Sequence, residues 1–116
     1  CENLTAALNF DDGGLATIAY TALGDGAMGK ELIEAYAGGS VIAIDDFRTL
    51  SSAENGKIRT GRRKTQDKGF KAALKAFTDA AANGGPAPVD EAELLETSIA
   101  TIAVLESLRL GARIDL

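Results

Sequence analysis

Residues 24–29 read Gly-Asp-Gly-Ala-Met-Gly, a literal G-x-G-x-x-G that follows the apolar run Leu15 to Leu23 and precedes a second apolar run, Val41 to Ile44, with Asp45-Asp46 behind it. In a dinucleotide-binding unit such glycines let backbone N–H groups approach a pyrophosphate at a helix N-terminus, while an acidic side chain holds ribose hydroxyls. The context argues against that use here. A helix between Lys30 and Gly38 would have only about eight residues, the preceding strand reads as half of a hairpin, and no further strand-helix repeats follow. A glycine-rich turn between antiparallel strands accounts for the same residues, and with 13 glycines in 116 positions chance matches are common.

The other candidate groups are weaker. Asp11-Asp12 and Asp45-Asp46 could hold a cation, yet both pairs sit where aspartate is favoured for bonding its own backbone in turns. Cys1 has no histidine to form a dyad with, because the sequence contains none, and it is assigned no role. Lys57, Arg59, Arg62, Arg63, Lys64 and Lys68 are half of the 12 basic residues. They could contact a phosphate, but cations on an edge hairpin also discourage unwanted pairing between sheets, and that reading is preferred.

These groups must be positioned by one domain, since 116 residues with 46% hydrophobic content suffice for one core and not for two. Aromatics make up 5%, so the core is expected to use small side chains that let helix and sheet approach closely. The formal charge of −5 opposes a nucleic-acid or anionic-membrane partner, and few aromatics are at hand to stack on bases. No apolar run reaches the ~18 residues of a bilayer span and no signal segment opens the chain. The expectation is a soluble, cytoplasmic protein, the single cysteine fitting a reducing compartment. Because Cys1-Glu2-Asn3-Leu4 enters a strand pattern at once, the chain reads as a fragment or processed product.

Leu4, Ala6, Leu8 and Phe10 alternate with Thr5, Ala7 and Asn9, which predicts a strand. Asp11-Asp12-Gly13-Gly14 then turns it into a hairpin with Leu15 to Leu23. Lys30 to Ala37 suits either a short helix or a strand. Gly38-Gly39 marks a turn, Val41 to Ile44 a buried strand, and Glu54-Asn55-Gly56 a hairpin joining Phe47–Ser52 to Lys57–Arg62. From Phe70 the period changes: Phe70, Leu74, Phe77 and Ala81 predict a helix that stops at Asn83-Gly84-Gly85. Asp90 and Glu93 open a second helix, closed by Gly111.

Strands first and helices last predict an α+β fold, an antiparallel sheet of about six strands (1–64) with two C-terminal helices (65–116) packed on one face, residues 1–116 forming a single domain. Val41 to Ile44 has no polar side, and Leu15 to Ala22 is apolar in both parities. Two helices of ~10 Å diameter cover only one face of a sheet ~29 Å wide. The other face is expected to meet a second copy, as an isologous dimer, or a further part of the parent chain.

Asp11 to Ile18 (Asp-Asp-Gly-Gly-Leu-Ala-Thr-Ile), Gly24-Asp25 with Lys30-Glu31, Asp46-Phe47-Arg48, Gln66-Asp67-Lys68-Gly69 and Glu106-Ser107-Leu108 together resemble the C-terminal domain of the glucose-fructose oxidoreductase and inositol dehydrogenase (Gfo/Idh/MocA) family. The resemblance spans nearly the whole chain and rests on the order and spacing of motifs that are individually weak. It resolves Lys30 to Ala37 as a strand. It implies a two-domain NAD- or NADP-dependent oxidoreductase acting on a sugar, polyol or related compound, with the cofactor in an N-terminal Rossmann domain outside this sequence.

The family's catalytic Glu-Lys-Pro lysine and its histidine have no counterpart here, so no catalytic, cofactor-binding or metal residue is expected in the fragment. The resemblance implies that the segment after the second strand lies near the substrate, which makes Tyr20, Asp25 and Lys30 candidate contacts to hydroxyls or a carboxylate. Their plainer roles are sheet packing, turn formation and a solvated strand-end charge. The implied partners are the chain's own Rossmann domain, another copy and a small-molecule substrate. The alternatives are a non-enzymatic sheet-mediated assembly module and a dinucleotide-binding unit at Gly24–Gly29.

Overall fold

The computed structural model describes residues 2–116; Cys1 lies outside them. Six strands and two helices follow in order: β1 Asn3–Asn9, β2 Leu15–Thr21, β3 Leu32–Ala37, β4 Ser40–Asp45, β5 Thr49–Glu54, β6 Lys57–Arg62, α1 Phe70–Asn83 and α2 Glu91–Leu110. The fold class is α+β with antiparallel sheets and both helices C-terminal. The single six-stranded sheet is corrected: β1 and β2 form a two-stranded sheet, and β3-β4-β5-β6 a four-stranded meander. The physical reason lies in residues 22–31. Ten residues rich in glycine separate β2 from β3, so no tight turn forces them to pair, whereas every link within the meander is short.

The chain divides into two compact units, residues 1–20 with 71–116, and residues 21–70. In the first, the β1–β2 turn closes through Phe10 N–H to Gly14 O (2.9 Å) and Gly13 N–H to Phe10 O (3.0 Å). Asp12 Oδ1 accepts from Gly14 N–H at 2.8 Å. Leu4, Ala6 and Leu8 share one face of β1, and on α2 Ala100, Ala103, Val104 and Ser107 recur at helical spacing; both sets are the more buried residues of their elements and line one groove of about 500 Å3. The helix lines that groove mostly with small side chains.

Helix α2 is capped as its sequence demands. Asp90 keeps extended backbone while its Oδ1 accepts from Ala92 N–H at 2.8 Å. Gly111 takes the left-handed conformation (φ 63°) and donates to Ser107 O at 2.8 Å. The Ser107 hydroxyl donates to Ala112 O at 2.6 Å, so Ser107 of the Glu106-Ser107-Leu108 motif serves this helix end through both its carbonyl and its side chain. The third interaction is the Glu106–Arg109 pair. Arg109 holds the Glu106 carboxyl below its ordinary range. Its small contribution is therefore present above the free glutamate pKa and fades as pH falls through the folded value.

In the second unit the two-residue turns Gly38-Gly39 (φ 57°, 77°) and Asn55-Gly56 (φ 50°, 71°) have left-handed backbone at both positions, the geometry that matches strand twist in hairpins. Registers follow directly, with Tyr36 beside Val41, Val41 beside Ala53 and Ala53 beside Ile58 in one row. Ile33, Ile44 and Leu50 form a row on the opposite face, ending at Gly61. Both faces thus carry apolar rows. Helix α1 likewise leaves Phe70, Leu74 and Phe77 exposed along one stripe.

Asp90→Ala is expected to cost about 1 kcal/mol and Gly111→Ala a similar amount, one by orphaning an N-terminal amide and the other by forcing a side chain into left-handed backbone. Urea midpoints of both variants, followed by helix circular dichroism, check this; unchanged midpoints would contradict the capping account.

Candidate functional site

Asp46 is the centre of a polar network at one end of the four-stranded sheet. It follows β4 directly, and both Asp46 (φ 49°) and Phe47 (φ 51°) adopt left-handed backbone, a conformation that costs non-glycine residues of order 1 kcal/mol or more. Arg48 N–H closes the turn onto Asp45 O at 2.9 Å. The strain is held by contacts from three chain segments. Asp46 Oδ1 accepts from Lys30 N–H at 3.1 Å and from Gln66 Nε2 at 2.6 Å. Its Oδ2 lies 3.3 Å from Arg48 Nε, and its own N–H donates to Glu31 O at 2.7 Å. The Asp46 side chain is only 15% exposed.

Around it, the Lys68 ammonium pairs with Glu31 and sits 5.5 Å from the Phe47 ring centroid, a cation held between a carboxylate and an aromatic face. Asp67 N–H donates to Phe47 O at 3.1 Å, Arg63 N–H to Arg48 O at 2.8 Å, and the Arg63 guanidinium pairs with Asp67. The other Glu31 carboxylate oxygen, Oε2, is buried without a partner. Lys30-Glu31, Asp46-Phe47-Arg48 and Gln66-Asp67-Lys68, three of the motifs that carried the family resemblance, are therefore one structural assembly.

Gly29 is the residue that lets this assembly close. A Cβ there would lie 2.9 Å from Asp46 Cβ and 3.3 Å from an Asp45 carboxylate oxygen, whereas a Cβ at Gly24 or Gly26 would meet nothing within 4 Å. Of the three glycines in the G-x-G-x-x-G pattern, only the last has a packing reason to be glycine. Nor does a helix follow them: Leu32–Ala37 is strand β3, antiparallel to β4. Without a helix N-terminus the segment does not fit a pyrophosphate, and the dinucleotide reading of Gly24–Gly29 is set aside.

The candidate contacts fall into both units. Tyr20 lies near the end of β2 in the first and is 59% exposed. Asp25 and Lys30 lie in the second. Asp25 Oδ1 accepts from Ala27 N–H at 2.8 Å and its carbonyl from Met28 N–H at 3.1 Å, so it forms its own turn. Lys30 is tied through its backbone to Asp46, and both it and Asp25 are exposed. Asp12 and Asp46 are engaged by backbone donors, and among the described residues no group of three or more His, Cys, Asp or Glu stands close enough to share a metal ion. No described helix is long and apolar enough to cross a membrane.

The sequence pointed to Lys30 but not to the network beside it, in which Asp46 accepts from the Lys30 N–H, Gln66 donates to Asp46 and Lys68 pairs with Glu31. Their only signal was membership of the recurring motifs, since residues 16 to 37 positions apart leave no periodic trace. Comparison with protein-family models, with curated proteins and with solved structures finds no match.

Gly29→Ala should destabilise the chain by about 1–3 kcal/mol, because the methyl displaces Asp46, while Gly24→Ala and Gly26→Ala should stay within about 0.5 kcal/mol. Asp46→Ala should cost about 2 kcal/mol and Asp46→Asn, which keeps the acceptor for Lys30 N–H, clearly less. Denaturant midpoints measured on the five variants decide it, equal effects at all three glycines being the contrary result.

Proposed function

We propose that this chain is the substrate-binding and assembly domain of a two-domain NAD- or NADP-dependent oxidoreductase acting on a sugar, polyol or related compound. The reading is supported first by uncovered apolar surface. Ala6, at 9% exposure, is the one buried hydrophobic residue described. Tyr36 is 69% and Ile58 77% exposed in a row on one face of the meander, and on α2 Leu95, Ile99 and Ile102 are exposed on the side away from the β1 groove.

Second, three of the motifs that resemble the Gfo/Idh/MocA family, Lys30-Glu31, Asp46-Phe47-Arg48 and Gln66-Asp67-Lys68, meet around Asp46, which supports the reading. In this reading Lys30, whose backbone the Asp46 network holds, and Asp25 in its own turn supply polar contacts to substrate hydroxyls or a carboxylate, and Tyr20 is a further candidate contact from the other unit. The nicotinamide cofactor would supply hydride transfer from a separate Rossmann domain, because the residues of this chain do not fit it. The sheet packs on a second copy, face to face at about 10 Å. The single cysteine suits a cytoplasmic setting. A non-enzymatic assembly module is the second reading, favoured by the same exposed rows if no cofactor domain accompanies them.

In sedimentation velocity at micromolar concentration the chain is expected to run as a dimer or larger species, and Tyr36→Lys with Ile58→Lys to shift it to monomer. A monomeric wild type contradicts the assembly role. In the enzyme joined to its cofactor domain, Lys30→Ala should raise KM about tenfold with little change in kcat, as loss of ground-state binding requires; unchanged kinetics remove Lys30 from the site. Titration of the chain alone with NADH should give no saturable binding.

A further inference from the structure

Strand alternation puts three rows of side chains on one face of the β3-β4-β5-β6 meander. The first row is Tyr36, Val41, Ala53 and Ile58. The middle row is Glu34 followed by the small residues Ala43, Ser51 and Thr60. The last is Leu32, Asp45, Thr49 and Arg62. The apolar residues at its edges are open, Leu32 being 68%, Tyr36 69% and Ile58 77% exposed. The opposite face is less free: its row of Ile44, Leu50 and Gly61 borders a hollow that Phe47 and Asp67 also line, so the chain's own turns stand beside it.

The first face carries the charges of Glu34 on β3, Asp45 on β4 and Arg62 on β6, and none of them belongs to an ion pair among the described residues. Within one chain β3 and β6 are opposite edges of the sheet, about 14 Å apart, so Arg62 does not reach Glu34. A second copy packed face to face brings them together in one of the two aligned arrangements. With the two-fold axis across the strands, each strand lies on its own counterpart. Glu34 then faces the partner's Glu34, and the Tyr36 row falls on the charged row, which like-charge repulsion and unpaired desolvation oppose. With the axis along the strands, β3 lies over the partner's β6 and β4 over its β5. Tyr36 then meets the partner's Ile58, the small middle rows meet each other, and the partner's Arg62 comes down on Leu32, between Asp45 on the next strand and Glu34 further along β3.

We propose that the face of Tyr36 and Ile58 is an isologous interface whose two-fold axis runs along the strands, with Arg62 of each copy accepted by Glu34 and Asp45 of the other. The proposal rests on the assembly reading above and adds to it the face, the axis and the residues that set the sheets' alignment. The apolar row supplies adhesion but tolerates either axis, whereas complementary charges choose between them. An arginine on the edge strand that no carboxylate of its own chain holds thereby acquires a partner.

Sedimentation equilibrium on charge variants tests it. Arg62→Glu turns attraction into repulsion at both symmetric ends of the interface and should raise the dimer dissociation constant about thirtyfold. Arg62→Glu joined with Glu34→Arg should recover about tenfold of that loss. In a Cys1→Ser background, Tyr36→Cys combined with Ile58→Cys should give a covalent dimer with a short bifunctional thiol reagent, and neither single variant should. Should Arg62→Glu disturb the circular dichroism, the cross-linking carries the test alone. A dimer of wild-type strength in Arg62→Glu, no recovery in the charge swap, or efficient cross-linking of Tyr36→Cys by itself would overturn the arrangement while leaving dimerisation standing. A monomeric wild type would overturn both.

Discussion

Apolar surface that the chain leaves uncovered is the constraint on which the remaining features depend. Hydrophobic burial is the dominant stabilising term in a folded domain, at about 25 cal/mol per Å2, and it must offset a conformational entropy cost of similar size. Here Ala6 is the buried hydrophobic residue described, while Phe70, Leu74, Phe77 and the row ending in Ile58 stand exposed. Local devices do what they can: turns with left-handed residues, an Asp90 cap and a Gly111 stop fix the elements. Such devices are each worth about 1 kcal/mol, and they do not replace a core. On the proposed reading, association supplies the remaining free energy.

The Asp46 network is the other organising feature, and it works differently. It draws together backbone and side-chain groups from residues 30–31, 46–48 and 63–68, tying the long segment after β2 to the end of the meander. A strained turn persists there because surrounding groups over-determine it, and the absence of a side chain at Gly29 leaves the room it needs. One carboxylate thereby holds the Lys30 backbone through Oδ1 and the Arg48 guanidinium through Oδ2.

Much of the local structure was legible in the sequence. Asn55-Gly56 and Gly38-Gly39 announce hairpins because both residues of each pair accept positive φ, and Phe70, Leu74 and Phe77 announce a helix by spacing alone. Pairing between strands was less so. The pattern of Leu15 to Leu23 marks a strand without naming its neighbour, and Lys30 to Ala37 suits helix or strand alike; the ten residues between β2 and β3 left the pairing open, and they belong to different sheets. Asp46 and Phe47 in left-handed backbone were also hidden, because neither residue type demands it and the compensating partners are distant in sequence. Tyr20, Asp25 and Lys30 came from resemblance, whereas the supports of Lys30 emerged only when the chain was folded.

The central claim is that association supplies stability the isolated chain lacks, and the dependence of unfolding on concentration tests it most directly. For a chain whose folded form is a dimer, the urea midpoint rises with protein concentration by mass action. A midpoint that climbs steadily across a hundredfold range of chain concentration, about 2.7 kcal/mol of linked free energy, is the predicted result. A midpoint that stays fixed over that range, with a single cooperative transition, would mean that the exposed rows need no cover and would contradict the account.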